Sequence, residues 1–134
     1  MAEVNLFTFI RLNRSINREV RQKWNFYLSS PQIQLIESLD SDGPKTMSHA
    51  ATELGISVGA MTALADRMVR SGIIERQRSA DDRRVIHLVI TDKGRDLIKD
   101  ISISRSTVLE KYFGKLTPEE AKEMIRLCSK MLED

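Results

Sequence analysis

Four arginines, Arg76, Arg78, Arg83 and Arg84, crowd into a short stretch with Asp81 and Asp82. A guanidinium is a planar, permanently charged fork that pairs with phosphate, and at a ribbon tip it can enter a narrow, electronegative minor groove. These arginines lie beside and between two β-branched or apolar runs, Ile74 to Arg78 and Val85 to Ile90, which predict a hairpin. Asp82, two residues before Arg84, is spaced to hold that guanidinium through charge-assisted hydrogen bonds. Arg78, Asp82, Arg83 and Arg84 are therefore the expected contacts of a basic ribbon with DNA. A merely solvated hairpin tip is the competing account, and it is weakened because the arginines outnumber the acids where phosphate would be met.

Little other chemistry is encoded. His49 and His87 are the only histidines and Cys128 is the only cysteine. No phosphate-cradling glycine loop and no Ser/His/Asp or Cys/His set stands at a recognisable spacing, so the expectation is a protein that is not an enzyme, with no metal and no cofactor. Cys128 falls on an apolar stripe, where a packed thiol is the default and redox sensing would need an electropositive, accessible setting.

The segment just before the ribbon reads as two short helices joined by a tight turn. Met47, Ala51 and Leu54 share one face of the first helix, with Ser48 as its expected N-cap. Gly55 follows at once, where a left-handed residue is sterically cheap only for glycine. Ile56 plugs the turn, and Ser57 is placed to cap the second helix. Met61, Leu64 and Met68 continue the apolar stripe until Gly72 ends it. The other face carries Ser57, Val58, Gly59, Ala60, Thr62, Ala63, Asp66, Arg67 and Arg70. Small groups let a backbone approach base edges, the hydroxyls of Ser57 and Thr62 offer hydrogen bonds, and alanine or threonine methyls can touch thymine methyls. Ser57, Val58, Gly59, Ala60, Thr62, Ala63 and Arg67 are the expected recognition-helix contacts. Gly59 costs such a helix about 1 kcal/mol against alanine, and close approach of another surface would account for it. A solvated helix face is the alternative for this stretch taken alone.

The flanking elements must present these two groups together. Residues 2–24 read as a helix with Phe9, Leu12, Ile16 and Val20 on one face, and with Arg11, Arg14, Arg18 and Arg21 on another. That basic stripe is expected to be a solvated or salt-bridged face rather than a DNA contact. Ser30 is the expected N-cap of a second helix, with Pro31 at its first position, Ile33, Ile36 and Leu39 facing inward, and Asp42-Gly43-Pro44 breaking it. Lys45 and Thr46 read as a connector. After the ribbon, Thr91 caps a helix to Phe113 that would span about 34 Å, too long to bury its stripe against a small domain alone. Thr117-Pro118-Glu119-Glu120 is a capping box opening a last amphipathic helix with Ala121, Met124, Ile125, Cys128, Met131 and Leu132 on one side. The terminal helices are expected to form a dimer interface, an intramolecular bundle being the alternative.

At this point the chain resembles the MarR family (multiple-antibiotic-resistance regulators) of winged-helix transcription factors. The matching residues are Ser57-x-Gly59-Ala60-x-Thr62, Asp66-Arg67-Met68, Gly72-Ile73-Ile74-x-Arg76, and Asp82-Arg83-Arg84 followed by Ile90-Thr91-x-x-Gly94. Met68-Val69 stands where the family often has Leu-Glu, and Ile90 replaces the commoner leucine. The resemblance implies a homodimer on a pseudo-palindromic double-stranded DNA operator, often released by a small ligand or oxidant. It also makes Trp24 and Tyr27 candidate walls of an effector pocket, against core packing as the alternative.

Composition sets the frame. The chain of 134 residues is one domain's worth, and its net charge of +2 excludes a generally polycationic binder, so any DNA affinity must come from local clustering. A single cysteine excludes an internal disulfide, no apolar run approaches membrane-spanning length, and the N-terminus lacks a signal-peptide pattern. The expectation is a cytoplasmic protein with no membrane partner. Its fold class is α+β and mostly helical: one domain over 1–134, with a winged helix-turn-helix at 30–90 and dimerisation helices at 1–28 and 91–134. The expected function is that of a sequence-specific DNA-binding repressor. The alternatives are a winged-helix protein–protein interaction module and a DNA-binding protein without ligand response.

Overall fold

The computed structural model describes residues 5–23 and 28–134, which form two compact units. Trp24 and Tyr27, the expected pocket walls, lie outside the described residues. The elements are helices α1 (Leu6–Lys23), α2 (Ser30–Asp42), α3 (Met47–Leu54), α4 (Val58–Arg70), α5 (Asp92–Phe113) and α6 (Pro118–Met131), with strands β1 (Lys45–Thr46), β2 (Ile74–Arg78) and β3 (Ile86–Ile90). Residues 26–100 make one unit, and residues 101–134 join α1 in the other, so α5 belongs to both.

The first unit is a winged helix. Its core is built from Leu35, Ile36 and Leu39 of α2, Ala50 and Ala51 of α3, Met61, Ala65 and Met68 of α4, and Ile73, Ile74, Leu88 and Ile90 of the sheet, all buried. Burying each of the larger side chains contributes roughly 1.5–3 kcal/mol. On α2 the buried stripe is Gln32, Leu35, Ile36 and Leu39, while Ile33, expected inward, is only half-buried. A glutamine can stand on that stripe because its side-chain oxygen is used in capping. Gln32 Oε1 accepts from Ser29 N at 2.8 Å, and Gln32 N donates to Ser29 Oγ at 3.4 Å. The N-cap is thus Ser29 rather than Ser30, because only Ser29 stands three residues before a side chain able to close the box.

The ribbon is not two-stranded but the larger part of a three-stranded antiparallel sheet in the order β1-β3-β2. The expected connector Lys45–Thr46 is strand β1, pairing Lys45 with Leu88 and Thr46 with His87. This also moves the start of α3. Thr46, still extended as the strand ends, turns straight into the helix, and its Oγ1 accepts from His49 N at 3.2 Å, so Thr46 and not Ser48 is the N-cap. Across the hairpin Ile74 pairs with Ile90, Arg76 with Leu88 and Arg78 with Ile86.

The turn between α3 and α4 follows its residues closely. Gly55 has φ +67°, and the next amide, from Ile56, returns to Ala51 O at 3.0 Å. Ser57 Oγ then accepts from Ala60 N at 3.1 Å and opens α4. At the other end of the wing, Thr91 Oγ1 accepts from Gly94 N at 3.2 Å and lies 2.6 Å from Gly72 O and 2.8 Å from Ile73 O. A Cβ on Gly94 would sit 2.4 Å from Ile73 O and 2.7 Å from Ile90 Cγ1, so only glycine lets α5 start this close to the strands. That is the physical content of the Thr-x-x-Gly pattern.

In the second unit Glu19 of α1 accepts from Lys111 Nζ at 2.9 Å and from the Tyr112 hydroxyl at 3.1 Å. Thr117 and Glu120 form the expected reciprocal capping box of α6. An apolar cavity of about 360 Å³ is lined by Leu12, Ile16, Tyr112, Phe113, Leu116 and Met124, with Lys115 at its edge. Leu6 and Phe7 of α1 and Ile125, Leu127 and Met131 of α6 are exposed, as is Leu132 just past its end.

Candidate nucleic-acid interface

α4 is amphipathic in the register its residues require. Met61, Ala65 and Met68 are fully buried, while Ser57, Val58, Gly59, Ala60, Thr62, Ala63 and Arg67 are all exposed. The seven expected contacts of the recognition helix therefore share one open surface. The Thr62 hydroxyl donates to Val58 O at 2.9 Å, which spends its donor inside the helix and leaves its oxygen as an acceptor.

At the wing the chain turns through Ser79 N to Val85 O at 2.9 Å and Val85 N to Asp82 O at 3.0 Å. Arg78, Arg83 and Arg84 are exposed and Asp82 is half-buried. Asp82 Oδ1 accepts from the Arg84 amide at 3.0 Å and from Arg84 Nε at 3.3 Å, so one carboxylate oxygen holds both backbone and guanidinium. The spacing of two residues does what it was expected to do. No partner within the protein claims the side chains of Arg67, Arg78 or Arg83 among the described residues. Three guanidinium groups are thus unpaired on one unit, a local cationic surface on a chain of nearly balanced charge.

Two sets of contacts are not legible in the sequence spacing. Asp66, expected on the outward face of α4, is paired with Arg76 of β2 through Nη2 and Oδ1. Arg70 Nε reaches the Asp66 carbonyl at 3.3 Å, and Lys93 Nζ caps the Ser71 carbonyl at 2.7 Å, which ties the end of α4 to the first turn of α5. Behind the helix-turn-helix, Lys45 is only 4% exposed. Its ammonium donates to Glu53 Oε1 at 2.5 Å and Asp42 Oδ2 at 3.0 Å, and Ser38 Oγ donates to Glu53 Oε2 at 2.8 Å. The hydrogen bond from Lys45 holds the Glu53 carboxyl, and likewise that of Asp42, below the ordinary range, and the Glu53 contact raises Lys45. The cluster fastens the end of α2, strand β1 and helix α3 together, and so fixes the platform on which α4 sits. Only the pairing of Lys45 with acids three and eight residues away in sequence could have hinted at it.

Among the described residues no group of three or more His, Cys, Asp or Glu side chains is arranged to hold a metal ion. No described helix is long and apolar enough to cross a membrane.

Comparison with known proteins gives a consistent picture. The family model described as MarR family matches residues 28–86. The HTH-type transcriptional regulator YpoP of Bacillus subtilis (strain 168) is 29% identical over 118 residues, 88% of this chain and 84% of that protein. The HTH-type transcriptional repressor MdtR of the same organism is 28% identical over 102 residues, 76% of this chain and 66% of that protein. Among solved structures, RV1404 from Mycobacterium tuberculosis superimposes with a TM-score of 0.82 at 25% identity, covering 97% of this chain and 93% of that one.

Proposed function

We propose that the chain, which is similar to the MarR family of winged helix-turn-helix transcription regulators, is a homodimeric repressor of that family that binds a pseudo-palindromic double-stranded DNA operator. Members of this family regulate transcription and are not enzymes. The observation that carries the proposal is the joint exposure, on one unit, of the small-residue face of α4 and of a wing arginine held from behind by an aspartate. In this reading Ser57, Val58, Gly59, Ala60, Thr62, Ala63 and Arg67 face the major groove. Arg84, oriented by Asp82, enters the flanking minor groove, while Arg78 and Arg83 meet phosphates.

The winged-helix unit of residues 26–100 supplies DNA contact, and the unit containing α1 and residues 101–134 supplies the dimer. Supporting the second assignment, Phe7 of α1 is 73% exposed and Met131 and Leu132 are 76% and 84% exposed. Apolar side chains so uncovered call for a second copy. The family likeness extends the proposal to a small-molecule effector that releases the operator, with Trp24 and Tyr27 as its expected contacts, and to action in the cytoplasm.

The test is selection of bound sequences from random duplex DNA, followed by titration of the winner against salt. An inverted repeat with half-sites about one helical turn apart, and an affinity falling steeply with ionic strength, is the expected result. Absence of any enriched duplex would overturn the proposal in favour of a protein-binding winged helix.

A further inference from the structure

Asp66 is the only acidic residue in α4. It stands three and four residues beyond Ala63 and Thr62, and therefore on the same side of the helix as those exposed positions. A bare carboxylate there would face an incoming phosphate backbone and repel it. It is not bare: Arg76 Nη2 of strand β2 meets Asp66 Oδ1, with the two side chains 32% and 46% exposed. Arg76 is also fixed from its own side, since it sits mid-strand opposite Leu88, itself fully buried. The partner that neutralises the acid is thus anchored in the strand that carries Arg78 and leads to the wing.

We propose that Arg76 and Asp66 form a positioning pair, in which Arg76 acts on DNA binding only through Asp66. It masks the one acid on the reading helix and holds α4 and the wing as a single docking surface. This deepens the DNA-binding reading given above and rests on it. Two elements that must enter adjacent grooves together lose less freedom on binding if they are already linked, which is the advantage of preorganisation. The division of labour among the ribbon arginines follows. Arg76 is committed inside the protein, Arg84 is partly held by Asp82, and Arg78 and Arg83 have no partner among the described residues. Arg76 then differs from its neighbours in kind and contacts no phosphate.

A double-mutant cycle on the full-length chain separates these roles, using the duplex recovered by selection. Arg76→Gln in the native background is expected to weaken binding about tenfold, and in an Asp66→Asn background by less than about twofold. In Asp66→Asn/Arg76→Gln the slope of affinity against salt is expected to match the native slope, because the pair contributes no phosphate contact. Arg76→Lys, which keeps a cation near Asp66, is expected to retain most of the affinity, and thermal melts of each variant report whether the fold is retained. Should Arg76→Gln cost as much without Asp66 as with it, and lower the salt slope by about one, Arg76 would be a direct phosphate contact and the proposal would be overturned. Equal affinity of all four members of the cycle would overturn it as well. A native chain that binds no duplex would instead sink the DNA-binding reading itself, an outcome distinct from either.

Discussion

Asp82 Oδ1 accepts from both the Arg84 amide, at 3.0 Å, and Arg84 Nε, at 3.3 Å, while the arginine side chain stays 92% exposed. The guanidinium is restrained near its root and open at its tip. Such an arrangement lowers the entropy lost when the tip is captured by another molecule, without spending the hydrogen-bond donors that do the capturing. An exposed pair of this kind adds little to folding stability, so its value lies in the bound state.

Replacing Arg84 with alanine is therefore expected to weaken operator binding by about 1–3 kcal/mol while leaving the thermal midpoint nearly unchanged. Asp82→Ala should cost less, because the cation survives and only its restraint is lost. Fluorescence anisotropy with a labelled duplex, alongside thermal melts, checks both. Unaltered affinity of Arg84→Ala would remove the wing from the interface.

Which of these relationships could be read from the residues alone depended on sequence separation. Asp82 and Arg84, Ser57 and Ala60, and Thr117 and Glu120 lie within one turn of each other, so spacing nearly dictates the contact. Thr91 is legible as a cap, but the need for glycine at 94 is not, because it comes from Ile73 and Ile90 across the hairpin. Asp66 and Arg76 are ten residues apart on a helix and a strand, and nothing local announces their pairing. Strand β1 is not legible for a similar reason: a two-residue strand has no periodicity of its own and exists because Leu88 and His87 offer it a partner. The cap at Ser29 follows from its spacing to Gln32, whereas Thr46 displaces Ser48 because strand β1 leads it, extended, straight into α3.

Gly59 offers a test in which stability and function move in opposite directions. It is exposed, its φ is not positive, and an added Cβ would meet only Ser57 Oγ, at 4.0 Å. Nothing in the free protein requires glycine there. Gly59→Ala is expected to stabilise the fold by up to about 1 kcal/mol. The same methyl should weaken operator binding roughly tenfold if DNA packs against α4 at this point. Calorimetry and anisotropy on the one variant decide it, and a more stable protein with native affinity would show that the DNA stays clear of position 59.

The Lys45 cluster predicts how stability changes with pH. Glu53 and Asp42 are held below their ordinary values of 4.5 and 3.8, chiefly by hydrogen bonds from Lys45. Groups whose values fall on folding stabilise the native state above their unfolded values and lose that contribution as pH drops through the lowered folded ones. Lys45, raised above 10.5 chiefly by Glu53, contributes below that value and loses its contribution as pH rises through the raised one. The thermal midpoint should therefore be flat near neutrality and decline below about pH 4.5. Glu53→Gln should start from a lower midpoint at pH 7 and show a shallower acid limb. Melting curves from pH 7 to pH 3 measure this, and an acid limb parallel to the native one would mean that the cluster does not govern acid stability.

The proposed dimer rests on α6, whose Ile125 and Met131 are 55% and 76% exposed. Covering what remains exposed of each would contribute at most about 1.5–3 kcal/mol, and in a symmetric interface each is covered twice. Placing charges at both positions, as Ile125→Glu with Met131→Glu, should convert the chain to a monomer without disturbing the winged-helix unit. The buried residues of that unit all lie outside α6. Sedimentation velocity reads the mass and circular dichroism reads the retained helix. Operator binding should then weaken far more than binding of one isolated half-site, because two linked reading heads gain from effective concentration and a single head does not. A doubly substituted chain that still sediments as a dimer would place the interface elsewhere and leave the exposed face of α6 without a role in assembly.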